Sequence, residues 1–354
     1  MIPSETIRSI LASAVQAPSG ENAQPWRFEV ERDRISVFNV PENDRSLYNF
    51  RQRASYISHG AVIENIVIAA AHFDLAASVA IGSKIHAPDL IATISLAPSG
   101  VKEDASLYPY IEKRCTNRKM YNGGTIPTPV IDALVGAAKN MDAIQVRFLK
   151  ESSAIKQLAT IASVNDTLLL ENRSLHDFFF SHVHWTLEEE LKQRSGFYIE
   201  VLELLPPAKA LFRLFQYWPI MRIFNALGAG KMGAKENSKI YASASAIGII
   251  TVSNETLEDF IDAGRTLQKL WLLATSNGMS MQPLTGVLFF HQRVHVDEAQ
   301  EFSLSQKEAV EKAYEGIRSA FAVEQGTITM MFRIGYAEAP TATSLKKSPE
   351  VIFK

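Results

Sequence analysis

The sequence is poor in cysteine, and Cys115 is the only thiol among its 354 residues. A single cysteine excludes an intrachain disulfide and a cysteine-rich zinc site, and it is typical of proteins from a reducing compartment. The residues after Met1 lack a basic segment followed by an apolar run, so no secretory signal is predicted. We therefore expect a cytoplasmic protein.

Neither sign of charge predominates, because 36 Lys and Arg face 38 Asp and Glu for a net charge of −2. This balance gives no reason to expect nucleic acid as a partner. No run reaches the ~18 apolar residues of a membrane-spanning helix, so stable membrane insertion is not expected. The hydrophobic share of 47% and charged share of 21% are typical of a globular protein with a large core. Apolar spacing predicts core helices over 51–72 and 257–276, and alternation on both sides of Asp33 and Arg34 predicts a hairpin.

Arrangements that would supply a protein nucleophile or a metal centre are also missing from the pattern. We find no convincing Ser-His-Asp or Cys-His set. His182 and His184 fall two apart in a predicted helix, whereas helical metal-binding pairs lie three or four apart on one face. The sequence therefore predicts no catalytic side chain and no metal site.

Residues 17–28 form the most informative stretch, at a corner between a predicted helix that starts near Ser4 and a predicted strand that starts at Arg27. The corner places small neutral hydrogen-bonding groups between two stiff prolines: Pro18, Ser19, Asn22, Gln24 and Pro25. Such a surface suits the flat heteroatom edge of a ligand.

A second informative stretch, residues 113–121, is rich in cations. Composition alone favours a solvated charged turn, but the stretch precedes a predicted helix that begins at Thr128-Pro129. It places four cations and two neutral polar side chains within residues 113–119. Guanidinium groups give a phosphate the charge-assisted, bidentate donors it needs. A phosphate-binding segment is therefore an open alternative.

The corner reads Pro-Ser-x-x-Asn-x-Gln-Pro-Trp and resembles the flavin-edge motif of the nitroreductase family of FMN enzymes. The cationic stretch is similar to the Arg-Arg-Ser-x-Arg motif with which that family holds the FMN phosphate. It also matches the Arg-Thr-Asn-Arg signature of the Acg-type branch, with Cys115 between the first two positions. The resemblance implies that FMN contacts the corner residues Pro18, Ser19, Asn22 and Gln24. In the cationic stretch it implies contacts from Arg114, Thr116, Asn117 and Arg118.

Two further segments resemble the family. Residues 277–286 are similar to its Gly-Leu-x-x-x-Pro-x-x-Gly loop, whose backbone amides face the flavin ring, which implies FMN contacts from Pro283, Thr285 and Gly286. The alternative is an ordinary turn after a capping Gly278. The polar arm near the end carries Lys346 and Lys347, and family arms end in a basic pair that reaches the phosphate.

The order of these motifs indicates a fused, degenerate dimer. Family subunits carry the Arg-rich motif before the corner, whereas here the corner comes first and each motif occurs once. We expect an α/β (α+β) nitroreductase-like fold of two related halves, residues 1–112 and 113–354, with one FMN per chain. The chain would be a monomeric pseudo-dimer or a further homodimer.

Residues 150–235 lie outside the resemblance and are expected to form an insertion. Apolar spacing predicts two long helices in it, over 155–170 and 175–191. The apolar stretch Phe197 to Ala229 is consistent with a lid over the pocket or an interfacial amphipathic segment. The glycines at 228, 230 and 233 match a dinucleotide fingerprint only as a string, and we expect a hinge there.

The resemblance implies an FMN-dependent oxidoreductase. NAD(P)H would reduce the flavin, and a small electron-poor acceptor such as a nitroaromatic or a quinone would then be reduced. An FMN-sequestering protein whose lid prevents turnover is the alternative, and a substrate-specific oxidase or flavin-fragmenting enzyme on the same fold is a third. Arg118 is the candidate cation for the flavin edge that becomes negative on reduction.

Overall fold

Two β-sheets, each packed against one long helix, form the centre of the protein. The structure is a computed structural model and describes residues 2–82, 89–101, 104–139 and 141–354. The α-helices are α1 (Ser4–Ala14), α2 (Arg53–His72), α3 (Thr128–Val135), α4 (Ser152–Ala162), α5 (Val164–Glu171), α6 (Arg173–Ser181), α7 (Leu187–Gln193), α8 (Pro206–Phe215), α9 (Trp218–Ala226), α10 (Ala229–Tyr241), α11 (Leu257–Ser276), α12 (Gly286–Val294) and α13 (Leu304–Ala320). The strands are β1 (Trp26–Glu31), β2 (Arg34–Asn39), β3 (Leu75–Ile81), β4 (Leu90–Pro98), β5 (Ile144–Leu149), β6 (Val183–His184), β7 (Phe197–Tyr198), β8 (Ala246–Val252), β9 (Ser280–Pro283), β10 (Thr327–Gly335) and β11 (Val351–Phe353). The mixed α/β fold predicted from the sequence is confirmed.

The same antiparallel arrangement occurs twice. The first sheet has the order β11-β1-β2-β4-β3 and the second has the order β5-β8-β10-β9. In the first sheet β1 and β2 are neighbours, and the long helix α2 separates them in the chain from β3 and β4. In the second sheet β5 and β8 are neighbours, and α11 separates them from β9 and β10. The order β1-β2-β4-β3 is therefore repeated as β5-β8-β10-β9, as two related halves require.

The connection between the first two strands distinguishes the halves. Arg32 and Asp33 join β1 to β2 as the predicted hairpin, whereas about a hundred residues separate β5 from β8. That connection contains the helices α4 to α10 and the small parallel pair of β6 with β7. The insertion thus lies at a position where the first half has only a tight turn.

The two long helices pack against each other at the centre. Both were predicted as core helices, and both are largely buried. The segment Phe50–His72 is long and apolar enough to span a membrane, but 83% of its apolar window is buried inside the protein. Helix α11 begins with a capping box in which Thr256 and Asp259 exchange hydrogen bonds. The contact between α2 and α11 joins the hydrophobic core under one sheet to the core under the other.

Three predictions about the insertion are wrong in detail. The predicted hinge at the glycines opens helix α10 instead, with Gly228 at φ 85° preceding its first residue. The first long helical pattern is divided at Ser163, whose Oγ donates to the carbonyl of Thr160 at 2.8 Å and competes with the helical backbone. The second is divided because α6 ends at Ser181 and the chain then pairs as β6.

Strand β11 shows where the polar arm leads, which the sequence did not indicate. It pairs in parallel with β1, and Phe28 lies opposite Val351. The end of the second half therefore extends the sheet of the first half, and the arm passes the corner on its way there.

Candidate functional site

A cavity of about 410 Å³ lies where both halves meet the insertion. Seven of the predicted site residues line it: Pro18, Ser19, Thr116, Arg118, Pro283, Thr285 and Gly286. They come from the corner, the cationic stretch and the loop between β9 and α12, which are separated by about a hundred residues or more in sequence. The fold thus brings together the three segments that the sequence singled out.

The corner adopts its shape through left-handed backbone at three positions, with φ of 46° at Glu21 and 53° at both Asn22 and Gln24. Non-glycine residues adopt this conformation rarely, and asparagine tolerates it best. Ser19 Oγ accepts a hydrogen bond from the backbone N–H of Gln24 at 3.0 Å and closes the loop. The corner is therefore stiff, as the prolines predicted.

Asn22 and Gln24 bind protein rather than line the cavity. Asn22 Nδ2 donates to the carbonyl of Leu345 at 2.8 Å, and Gln24 Oε1 accepts from the backbone N–H of Lys347 at 2.8 Å. Gln24 Nε2 also donates to the carbonyl of Arg194 at 2.7 Å. These amides hold the C-terminal arm and the insertion against the corner.

Two cations, Arg114 and Lys346, lie together beside the corner. Arg114 Nη2 donates to the carbonyl of Gln16 at 2.8 Å, and Lys346 Nζ donates to the carbonyl of Ala17 at 2.8 Å. Burial lowers the pKa of Arg114 to about 10, and burial together with the Arg114 charge lowers the pKa of Lys346 well below its usual range. Buried like charges are costly unless an anion compensates them.

The charge of these two cations and one of their donors lack a partner in the part of the chain that the structure describes. Among the described residues neither cation has a salt bridge to a carboxylate, and Arg114 Nε is buried without a hydrogen-bond partner. The Arg114 guanidinium lies 4.6 Å from the ring centroid of Trp271, which itself lines the cavity. The donors thus fit a phosphate next to Trp271, at the margin of the cavity. The Lys347 side chain is exposed and its backbone N–H donates to Gln24 Oε1, so Lys346 rather than Lys347 lies beside Arg114.

Asn117 has a structural position behind the cavity. Its side-chain Nδ2 donates to Ser280 Oγ at 2.9 Å and to the carbonyl of Glu338 at 2.8 Å. The adjacent Thr116 forms an isolated parallel bridge with Met281, which aligns the cationic stretch with β9. Asn117 therefore positions its neighbours Thr116 and Arg118 at the cavity wall.

Arg333, which was not predicted from the sequence, binds both the cationic stretch and β9. It is fully buried in β10, where Nε donates to Gln282 Oε1 at 2.8 Å and Nη2 donates to the carbonyl of Lys119 at 2.7 Å. Its guanidinium lies 3.9 Å from the ring centroid of Tyr121. A lone arginine in an otherwise apolar strand was the signal that could have identified it.

The insertion approaches the loop at Gly286 closely. A Cβ on Gly286 would lie 1.9 Å from Asn165 Oδ1 of α5, so a larger residue here would require the Asn165 side chain to move. Asn165 Oδ1 also accepts a hydrogen bond from the hydroxyl of Tyr48 at 3.1 Å. The close neighbour of Gly286 is thus a side chain of the insertion, and the approach of its backbone to a flavin ring stays a prediction.

The rest of the insertion wall is aromatic and apolar. Phe179, Phe197 and Phe212 line the cavity, and the ring centroid of Phe179 lies 5.5 Å from that of Phe197 and 6.0 Å from that of Phe212. Arg118 lies over Phe197, with its guanidinium 5.7 Å from the ring centroid, and donates to the carbonyl of Val201 at 3.2 Å. Burial lowers the pKa of Arg118. Flat apolar ligands suit such a wall.

Acidic groups in the cavity are the main functional feature that sequence reasoning missed. Burial, and then the charge of Asp44, raise the pKa of Glu21 to about 8, and Glu21 Oε2 has no hydrogen-bond partner among the described residues. Burial also raises the pKa of Asp44, against hydrogen bonds from Ser46 and the charge of His182. Glu21 occupies one of the unspecified positions of the corner motif, so the motif carried no signal for it.

A third acidic residue of the cavity, Asp166, lies on the insertion. Burial raises the pKa of Asp166 to about 7, and the hydroxyl of Tyr241 donates to its two carboxylate oxygens at 3.2 and 3.0 Å. Groups with raised pKa values in a cleft are candidates for proton transfer. The cavity therefore offers proton donors from both the corner and the insertion.

Comparisons with known proteins agree with the sequence resemblance. No protein-family profile matches the chain. An uncharacterised protein of Mycobacterium tuberculosis is 22% identical over 346 residues, which are 98% of this chain and 48% of that protein. The chain thus spans about half the length of this relative. Another M. tuberculosis protein, which carries the provisional name NAD(P)H nitroreductase, is 25% identical over 79% of this chain and 76% of its own length.

Solved structures give weaker overlaps. The FMN-dependent nitroreductase NfnB from Mycobacterium smegmatis, crystallised with NADPH, aligns with a TM-score of 0.38 and 16% identity over 66% of this chain and 89% of that chain. A nitroreductase with bound FMN from Bacteroides fragilis aligns with a TM-score of 0.35 and 12% identity over 69% of this chain and 94% of that chain. In both cases about two thirds of this chain matches nearly the whole of the other.

Proposed function

We propose that the protein is an FMN-dependent oxidoreductase of nitroreductase type. NAD(P)H is the proposed electron donor, and the acceptor is a small electron-poor molecule such as a nitroaromatic or a quinone. The observation that carries this proposal is the meeting of the corner, the cationic stretch and the 283–286 loop at one cavity, beside two buried cations without a carboxylate partner. The relationship to the provisionally named NAD(P)H nitroreductase supports it.

The chain's own residues have separable roles in this proposal. Arg114 and Lys346 hold the phosphate of FMN, and Lys347 is a third proposed contact. Ser19, Thr116 and Arg118 meet the rest of the cofactor, together with the backbone of residues 283–286. Asn22, Gln24 and Asn117 keep these groups in place. Bound FMN supplies hydride transfer, so the protein needs no nucleophile of its own.

Reduction of the acceptor also requires protons, and acidic side chains that line the cavity can donate them. Glu21 remains protonated at neutral pH because of its raised pKa, so it can donate to an acceptor oxygen. The charge of Asp44 acts on Glu21, so the two carboxyls titrate together. Asp166 and Tyr241 offer a second route from the insertion.

A second candidate function, FMN binding with little turnover, is favoured by one observation. Asn165 occupies the space in front of Gly286, where a flavin ring would approach the backbone. If this contact persists with FMN bound, the insertion is a lid that keeps donor and acceptor away from the ring.

Anaerobic mixing of the FMN-loaded protein with NADPH separates the two functions. Loss of flavin absorbance faster than for free FMN, followed by its return when a quinone is added, supports the oxidoreductase. Retained FMN that NADPH bleaches no faster than free FMN supports storage. A purified protein that neither carries nor takes up FMN contradicts both proposals.

We also propose the division of the chain into halves at residues 112 and 113, with one flavin site between them. A monomeric pseudo-dimer satisfies this arrangement, and a further homodimer is compatible with it. The lone cysteine favours the cytoplasm as the location.

A further inference from the structure

A cluster of potential metal ligands lies outside the cavity, where α12 packs against α13. His291 and His295 are four residues apart at the end of α12, and Glu311 is on α13. One ligand atom from each lies within 4.8 Å of the others, and His291 Nε2 is 3.2 Å from Glu311 Oε2. Histidines at this spacing share one helix face, which is the arrangement the sequence analysis required of a metal site.

The surroundings hold one ligand firmly and leave the others accessible. The ring of His291 stacks on Tyr314 with 3.5 Å between centroids and 7° between planes, and its side chain is only 12% exposed. His295 is exposed, and the Glu311 side chain is 41% exposed. An ion can therefore enter from solvent and meet a ligand that is already oriented.

The charged groups next to the cluster have partners of their own. Of the nearby charges, Arg318 donates to the carbonyls of Glu324 and Gly326, and Glu255 pairs with Arg53.

We propose that His291, His295 and Glu311 form a binding site for a divalent transition metal of the Zn²⁺ type, completed by water. Two imidazoles and one carboxylate favour such an ion over Mg²⁺ or Ca²⁺, which prefer oxygen ligands alone. A tetrahedral zinc ion holds its ligand atoms ~3.4 Å apart. Because the three ligand atoms lie within 4.8 Å of one another, binding requires the exposed His295 side chain to move toward the other two.

The ion would join two helices that bear on the cavity. Helix α12 begins at Gly286, within the loop that lines the cavity, and the metal would fix its far end to α13. The site is thus expected to stabilise the scaffold of the loop, and it is independent of the proposed flavin chemistry.

Zinc titration of the chelator-treated full-length protein tests the proposal. We expect one Zn²⁺ per chain, a higher melting temperature with Zn²⁺, and visible d–d absorption of tetrahedral character when Co²⁺ replaces it. His295→Ala and Glu311→Gln, which change accessible side chains, should each lower zinc affinity by roughly tenfold or more. Affinity should also fall as pH falls, because protons compete for the imidazoles.

Matched controls are His72→Ala and Glu188→Gln, which remove an exposed imidazole and an exposed carboxylate outside the cluster. Both should bind zinc as the wild type does. The proposal is overturned if the wild type binds no zinc, or if His295→Ala and Glu311→Gln bind it as tightly as the wild type. In that case His291 and Glu311 form an ordinary hydrogen-bonded pair.

Discussion

Gly60 of α2 and Gly264 of α11 face each other's helix at their crossing. A Cβ on Gly60 would lie 2.0 Å from the carbonyl oxygen of Ile261, and a Cβ on Gly264 would lie 1.9 Å from that of Ile57. The two contacts are reciprocal, since each glycine meets a carbonyl three residues before the other. Reciprocity of this kind is characteristic of an interface between two equivalent units.

Alanine at either glycine should therefore force the helices apart. We expect Gly60→Ala or Gly264→Ala to lower the free energy of unfolding by about 1–3 kcal/mol or more, as overpacking does. Urea unfolding measures this. Gly136→Ala is the control, because nothing lies within 4 Å of a Cβ there. Equal stability of Gly60→Ala and Gly136→Ala would contradict the close crossing.

Flavin stoichiometry tests the fused arrangement. Each of the three site segments is found once, so the chain should bind one FMN after full reconstitution. Absorbance of the released flavin against protein concentration gives the ratio. A ratio of two would mean that the second half forms its own site and that the motifs were read too narrowly.

Removal of either buried cation should weaken FMN binding. Arg114→Ala and Lys346→Ala each remove a charge-assisted contact, at a cost of about 1.5–3 kcal/mol of binding free energy. Equilibrium titration of the apo-protein with FMN measures the loss, and Lys347→Ala tests the third proposed contact. Arg173→Ala, on the exposed side of α6, is the control. Unchanged affinity in the first two variants would exclude the phosphate assignment.

The stability of the apo-protein should depend on Glu21. Its pKa is about 8 in the fold against an ordinary value of 4.5, so the folded state binds the extra proton between these values. The contribution of Glu21 is thus present at pH 4.5 and below, and it is lost as pH rises through about 8. Since Asp44 titrates together with it, the window belongs to the pair.

Melting temperatures from pH 4.5 to 8.5 check this. Glu21→Gln cannot ionise, so it should gain stability relative to the wild type as the pH rises across that window. Glu188→Gln, which changes an exposed carboxylate of α7, should follow the wild type. Parallel curves for Glu21→Gln and the wild type would remove Glu21 as a protonated acid.

Asn165 tests whether the insertion acts as a lid. Asn165→Ala removes the side chain in front of Gly286, so NADPH should reduce bound FMN faster than in the wild type. Stopped-flow absorbance under anaerobic conditions measures the rate. Thr160→Ala, at an exposed position of α4, is the control. A rate that does not rise in Asn165→Ala would indicate that the contact opens freely when FMN is bound.

Local patterns predicted the elements well, because apolar periodicity and turn residues depend on neighbours in sequence. The hairpin at Asp33 and the core helix α2 are examples. The partners of Asn22 and Gln24 could not be predicted in this way, since Leu345 and Lys347 lie 323 residues away in the chain. Contacts over such distances are set by the whole topology.

Charged residues in the interior were the other gap. Arg333 is satisfied by carbonyls and a glutamine side chain from other segments, and no pattern in β10 shows those partners. The proposed metal site was not predicted for the same reason. His182 and His184 have the wrong spacing for a helical metal site, whereas His291 and His295 have the right one. Their partner Glu311 comes from a different helix, which the sequence does not show.

The pairing of β1 with β11 has a consequence for how the protein is made. Phe28 leaves the ribosome more than three hundred residues before its neighbour Val351. During synthesis the edge of β1 therefore stays open, and Lys346 is absent from the side of Arg114. The nascent chain can fold its first hairpin early, but it can place Lys346 beside Arg114 only when the arm has been translated. If these two cations hold the FMN phosphate as proposed, cofactor uptake should follow translation of the arm.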